Sequence, residues 1–435
     1  MFLLTLLFSI PASALLVAGV YCQSGFNVTP FTIDLSAQFA QLKDKVNASR
    51  LPEVELYPGN GQDKGVPLEA LRAWKEEWVS GYDWEEEQAR LNSCVAVQPE
   101  IEGLKIHFIH QRSKIKDSVP LILLHGWPGW FSTFPTLKLT SVLLGSFHEF
   151  LPIIAPLTEQ NSSTGVSFHV VVPSLPGFIF SSPPKTQNWT VADTARVFNT
   201  LMTDVLGYDK YAVHGTDWVR ALGSAIGYTM YTTFNPTGNI LGGSFDFLPF
   251  SFVSRAEIAS DNITLSPEQQ ITLARMEEWE ATGNDYYRML THKPSDLGYA
   301  LYDNPVAQLA FIGGKYLLWS QPPPSPLYTT NNSTLLTAVS LYALTDSAVS
   351  AGWIYAANPT AFGMDFAYPG PGSVEDAPPM VFSHFPFNIA LWPEEYVRKV
   401  GKVVAYRVHT CGGHFAGLDN PSGLVEDIRL LAEFF

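Results

Sequence analysis

The sequence predicts an α/β fold built on a mostly parallel, doubly wound sheet, and three observations carry that prediction. Short apolar runs at Val119–Leu124, Phe168–Val172 and Lys210–His214 are separated by helical patterns, as strands covered on both faces would be. Two of these runs end in tight turns, His125-Gly126 and Gly215-Thr216-Asp217-Trp218. The chain's 435 residues, 46% hydrophobic and 15% charged, can bury a substantial core without a metal or disulfide staple. That length fits two average domains or one large domain with insertions.

From the N-terminus, Phe2 to Cys22 carries no charge and opens on Phe2-Leu-Leu-Thr-Leu-Leu-Phe8. Two readings fit residues 1–22. One is a secretory signal peptide cleaved near Ala18-Gly19. The other is a retained N-terminal anchor, because the stretch is just long enough to cross a bilayer and lacks a basic start. Both send the rest of the chain into the secretory lumen, either secreted or associated with a membrane through that segment. Sequons at Asn27, Asn47, Asn161, Asn188, Asn262, Asn331 and Asn332 agree with an exported glycoprotein. If Cys22 leaves with a signal, a Cys94–Cys411 disulfide is open, and neither cysteine has the neighbours of a catalytic thiol.

Residues 23–115 read as an extension leading into the first strands. In it, Leu68–Trp78 repeats apolar residues at helical spacing and Leu104–His110 alternates as a strand. Residues 116–250 hold the first part of the core, with a helical pattern over Arg220–Tyr231. From 251 to 360, polar helices, a Pro322-Pro-Pro-Ser-Pro326 loop and paired tyrosines break the rhythm, which marks an inserted helical lid. The core resumes in 361–435, with strands expected at Pro379–Ser383 and Lys402–Val408 and a helix over Ser422–Phe434. There are 26 Lys+Arg against 41 Asp+Glu, a net charge of −15, and no basic run. Nucleic acid is therefore excluded as a partner, since phosphate binding needs a basic face.

The chemistry gathers at three turns. Gly215-Thr216-Asp217-Trp218 joins a strand to a helix, a sharp elbow that lifts one side chain above the sheet and frees the next backbone N–H as an oxyanion donor. The lifted residue is a carboxylate, whose natural reaction is attack on an alkyl carbon. Taken alone, Asp217 reads as a turn or N-cap residue, and only the turns around it favour the chemical reading. Upstream, His125-Gly-Trp-Pro-Gly129 follows a strand end, so the N–H groups of Trp127 and Trp218 are the two candidate oxyanion donors. Downstream, His414 follows the last strand in Gly412-Gly-His-Phe415, completing a nucleophile-before-base order. The histidines lack metal-ligand spacing, so no metal and no cofactor is expected.

With these turns the sequence resembles the microsomal-type epoxide hydrolases of the α/β-hydrolase superfamily, over nearly the whole mature chain. The resemblance also rests on Trp84-Glu-Glu-Glu-Gln-Ala-Arg-Leu-Asn92, Glu102–His110, Pro173-Ser-Leu-Pro-Gly-Phe178 and Gly412–Ala416. It implies that Asp217 attacks an epoxide carbon while two lid tyrosines hold the epoxide oxygen, and that water activated by His414 then releases a vicinal diol. The matching tyrosines are Tyr355 and Tyr286, with Tyr287 the rival of Tyr286. A neutral phenol is a reasonable acid for an alkoxide.

Two departures stand out. The family's acid position, in Phe-Pro-x-(Glu/Asp), is here Phe385-Pro-Phe-Asn388, while the usual Asn of a His-x-Asn turn is here Asp246. The expectation is that the acid orienting His414 has migrated to Asp246. Val219 also replaces the usual elbow Gly, crowding the turn. Trp127, Trp130 and Trp218 would line an apolar pocket. The expected partner is a small apolar epoxide, with oligomeric state open. Haloalkane dehalogenation is disfavoured by the paired tyrosines. An epoxide-opening cyclase and a non-catalytic carrier on the same fold stay open.

Overall fold

The computed structural model describes residues 25–58, 64–126, 147–161, 165–217, 223–322, 332–361 and 363–435. The N-terminal segment 1–22, Trp127, Trp130, Trp218, Val219 and most of the Pro322–Pro326 loop lie outside the described residues.

A single ten-stranded sheet organises the chain. Its strands are β1 (Val28–Phe31), β2 (Ala96–Ile101), β3 (Leu104–Lys105), β4 (Phe108–Gln111), β5 (Val119–Leu124), β6 (Phe168–Pro173), β7 (Tyr211–Gly215), β8 (Ile240–Phe245), β9 (Pro379–His384) and β10 (Lys402–Val408). The order is β1-β2-β4-β6-β5-β7-β8-β9-β10, with β3 paired to β2. Strands β6, β5, β7, β8, β9 and β10 run parallel, and the pairs on the N-terminal side are antiparallel. The apolar runs explain the difference. Every residue of β6 and β7 is buried, as strands covered by helices on both faces must be.

Residues 104–110 do not form one strand. Glu102 and Gly103 both take positive φ, closing a β2–β3 turn; β3 and β4 pair with β2 in one register, interrupted opposite Pro99, which has no N–H to donate, and β4 pairs with β6 on its other side. At the C-terminus the expected helix runs Pro421–Leu431 and tightens into a 3-10 turn over Ala432–Phe434.

Between β8 and β9 lie helices Arg255–Ser260, Pro267–Glu278, Asp285–His292, Pro294–Tyr302, Pro305–Trp319, Asn332–Leu344 and Ala348–Ala357. The N-terminal extension braces them. The Trp78 indole N–H, on helix Leu68–Ser80, donates to Ser340 Oγ at 2.9 Å, and the hydroxyls of Tyr82 and Thr337 meet at 2.6 Å. Trp74 packs so closely on Gly313 that a Cβ there would lie 2.5 Å from its ring. Both Cys94 and Cys411 are free thiols, so the disulfide left open by the sequence is not formed.

Candidate active site

Asp217 projects from the turn after β7 at φ +70°, a left-handed backbone that aspartate adopts at a cost, and it is buried. Two glycines make room for it. A Cβ on Gly126 would lie 2.3 Å from the Asp217 carboxyl carbon, so the end of β5 can approach that carboxyl only without a side chain. A Cβ on Gly223 would lie 2.5–2.6 Å from the carbonyls of Leu124, Thr216 and His125, so the helix Gly223–Thr233 could not seat against the strand ends. His125 is buried, its Nδ1 is 2.8 Å from the Gly126 carbonyl, and desolvation holds its ring down to about 4, hence neutral.

His414 comes from the loop after β10, and that loop is held from the lid side. Its backbone N–H donates to the Trp319 carbonyl at 3.0 Å, and the Gly412 N–H donates to Gln321 Oε1 at 2.9 Å. The ring sits among Trp319, Phe247 and Phe415, with centroids at 5.3, 5.4 and 4.8 Å. Its Nε2 is 3.2 Å from Asp217 Oδ1, and its Nδ1 is 2.8 Å from Asn388 Oδ1.

The bond expected between Asp246 and His414 is not the one made. The Asn388 amide stands against Nδ1 instead, and its own Nδ2 donates to the Asp246 carbonyl at 3.1 Å. That second bond fixes the amide oxygen toward the ring, so Nδ1–H donates and Nε2 is the basic nitrogen facing Asp217. The Asp246 carboxyl is buried, and neither of its oxygens has a hydrogen-bond partner. Burial pushes it up to about 8, the Asp217 charge adds to that, and the Thr216 hydroxyl opposes it. At neutral pH it is a protonated acid. Glu394 and Glu395 open the helix Glu394–Val397, where two acids suit a first turn.

Tyr286 and Tyr355 come from the helices Asp285–His292 and Ala348–Ala357, and both are buried. Burial raises each phenol well above 10, and the Asp217 charge adds to both, which places the two hydroxyls in its field. Among the described residues the Tyr286 hydroxyl has no hydrogen-bond partner. Tyr287 packs its ring on Tyr355 at 6.0 Å and also lines a separate surface cavity with Ser251, Trp279 and Asn284. Tyr286 is buried in the field of Asp217, which makes it a candidate donor of the adjacent pair.

Sequence reasoning missed Glu149. It is buried in the 3-10 turn Phe147–Phe150, and its carboxyl is raised well above 4.5 by burial and by the charges of Asp217 and Asp246. The signal was a lone acid inside the apolar run Phe147-His-Glu-Phe-Leu-Pro-Ile-Ile154. Tyr316 and Tyr342 also feel the Asp217 charge. The candidate oxyanion donors Trp127 and Trp218 lie outside the described residues. No cluster of three metal-ligating side chains occurs among the described residues.

Comparison with known proteins adds independent findings. Residues 28–134 match the family model described as epoxide hydrolase N terminus, and residues 119–233 match that of the alpha/beta hydrolase fold. The solved epoxide hydrolase of Aspergillus niger is 31% identical, with a TM-score of 0.75 over 94% of this chain and 97% of its own. Juvenile hormone epoxide hydrolase of Bombyx mori is 25% identical, with a TM-score of 0.78 over 94% and 95%. Epoxide hydrolase 1 of Oryctolagus cuniculus is 28% identical, over 92% of this chain and 88% of its own.

Proposed function

The chain belongs to the epoxide hydrolases of the α/β-hydrolase fold, and we propose that it opens a small, apolar epoxide through a covalent ester on Asp217. The observation that carries this reading is the contact between His414 Nε2 and Asp217 Oδ1, with the buried phenols of Tyr286 and Tyr355 in the field of the same carboxylate.

An Asp217 carboxylate oxygen attacks one epoxide carbon, and the C–O bond breaks with its electron pair moving to the epoxide oxygen. That oxygen takes a proton from Tyr286 or Tyr355. Forming the ester removes the negative charge that His414 Nε2 faces, so the nitrogen is left as a base for water. Water loses a proton to Nε2 and attacks the ester carbonyl. The ester C–O bond then breaks, the leaving alkoxide takes the proton from His414, and the proton of the new carboxylic acid passes to the phenolate, which restores Asp217, His414 and the tyrosine and releases a vicinal diol. Trp319, Phe247 and Phe415 around His414 keep this space apolar, which favours an apolar substrate.

A single turnover in ¹⁸O-water, followed by weighing the Asp217 peptide, tests the ester. Label in that carboxylate is the expected result. Diol formed over an unlabelled Asp217 would overturn the mechanism in favour of direct attack, the route a cyclase would share.

We also read the chain as exported and glycosylated. Asn27, Asn47, Asn188 and Asn262 are exposed sequon positions, which supports that reading. An endoglycosidase that leaves the mass of the protein from its native source unchanged would remove that support.

A further inference from the structure

Lys315 is a charged residue with no part in the mechanism above. It lies on the helix Pro305–Trp319, four residues before Trp319, whose carbonyl anchors the His414 backbone. Its ammonium stands 4.1 Å from the centroid of the Tyr286 ring, 5.1 Å from Phe311 and 5.9 Å from Trp319. Three rings surround one cation, and among the described residues it makes no ion pair. Asp285 is the acid whose charge favours it. Burial brings the ammonium down to about 8, so holding a cation here costs free energy that stem packing alone does not require.

We propose that Lys315 is a positioning residue for the acid step, its ammonium stabilising the negative charge that spreads into the Tyr286 ring as the phenol gives up its proton. This rests on Tyr286 acting as a proton donor to the epoxide oxygen. A cation over a neutral phenol gains a modest attraction. The attraction grows as the ring becomes phenolate-like, so the gain is larger in the transition state than in the ground state, the condition for accelerating a step. It also offsets an electrostatic problem of the site. Burial and the Asp217 charge both hold the Tyr286 proton, which makes this phenol a reluctant donor without a cation beside it.

The test is the single-turnover alkylation rate of the whole enzyme and its Lys315→Met and Lys315→Arg variants, with Lys315→Gln as a second neutral variant. Two substrates are compared, an alkyl epoxide (1,2-epoxyhexane) and para-nitrostyrene oxide, whose alkoxide is less basic and needs less acid assistance. Lys315→Met should slow alkylation of the alkyl epoxide about tenfold, a factor that corresponds to about 1.4 kcal/mol. The loss should be smaller on the nitro substrate, and substrate binding should change little. Lys315→Arg should restore most of the rate. An equal loss on both substrates, no loss, or a loss confined to binding would overturn the proposal while leaving the ester mechanism intact. A parent enzyme that forms no ester at all would remove the catalytic reading itself and this inference with it.

Discussion

Asn388 holds the imidazole in the geometry an acid would give but without the charge. Its Oδ1 fixes Nδ1–H at 2.8 Å, which preserves tautomer and orientation, yet an amide cannot stabilise the imidazolium formed as His414 takes a proton from water. Ester hydrolysis should therefore be the slow half of the cycle. Asn388→Asp should speed diol release by at least about tenfold without a matching gain in alkylation, as pre-steady-state kinetics would read separately. Asp246 contributes otherwise. With its carboxyl raised to about 8, the folded state keeps a proton that the unfolded chain releases near 4. Stability from this residue is thus lost as pH rises from about 4 to about 8. Asp246→Asn should raise the melting temperature at pH 7.5 more than at pH 5; an equal or opposite effect would contradict the assignment. These two positions were legible as an exchange of residue types, but their division of roles was not. The amide that faces the ring is chosen by a bond to the Asp246 carbonyl, and no sequence pattern encodes that bond.

The elements carry the site through contacts far apart in the chain. The strand-end turns were readable because crowding demands glycine there, and Gly126→Ala should abolish turnover by displacing the Asp217 carboxyl, while circular dichroism stays that of a folded protein. The extension's grip on the lid was not readable. Trp74 is buried against Gly313, and its helix spacing announces an apolar face without saying what covers it. Trp74→Ala should cost about 3–5 kcal/mol in chemical denaturation and loosen the helix that carries Lys315 and Trp319. The strand expected over 104–110 is interrupted at 106–107, opposite Pro99 of β2, whose missing N–H leaves a gap in the ladder that alternation cannot reveal.

Across the whole molecule, two sets of buried groups set opposite slopes on stability. His107, His110 and His214 are held down to about 3, and His125 and His384 to about 4, all by desolvation. Below about 6.5 the unfolded chain binds protons that these rings refuse, so they favour folding progressively more as pH rises toward that value. Asp246 and Asp419, each raised to about 8, and Glu149 act in the other direction from about pH 4 upward. Among these groups the five imidazoles outweigh the three carboxyls below about 6.5, and above it the carboxyls act until Lys315, held down to about 8, begins to titrate. The melting temperature should therefore peak near pH 6.5 and fall on both sides. A monotonic rise to pH 8 in calorimetry would contradict this balance.

The sequence by itself determined the sheet's buried strands, the elbow at Asp217, the order of nucleophile and base and the pair of lid tyrosines. Each of these is written in local chemistry, whether an apolar run, a glycine at a crowded turn or a motif a few residues long. Only the tertiary structure decided that Asn388 rather than Asp246 meets His414, that Tyr286 and Tyr355 both lie in the field of Asp217, that Glu149 belongs with the buried acids, and that an ammonium stands over the Tyr286 ring. The physical reason is distance along the chain. These choices are made between side chains 26 to 197 residues apart, where packing and hydrogen-bond satisfaction select one neighbour from several of equal chemical suitability.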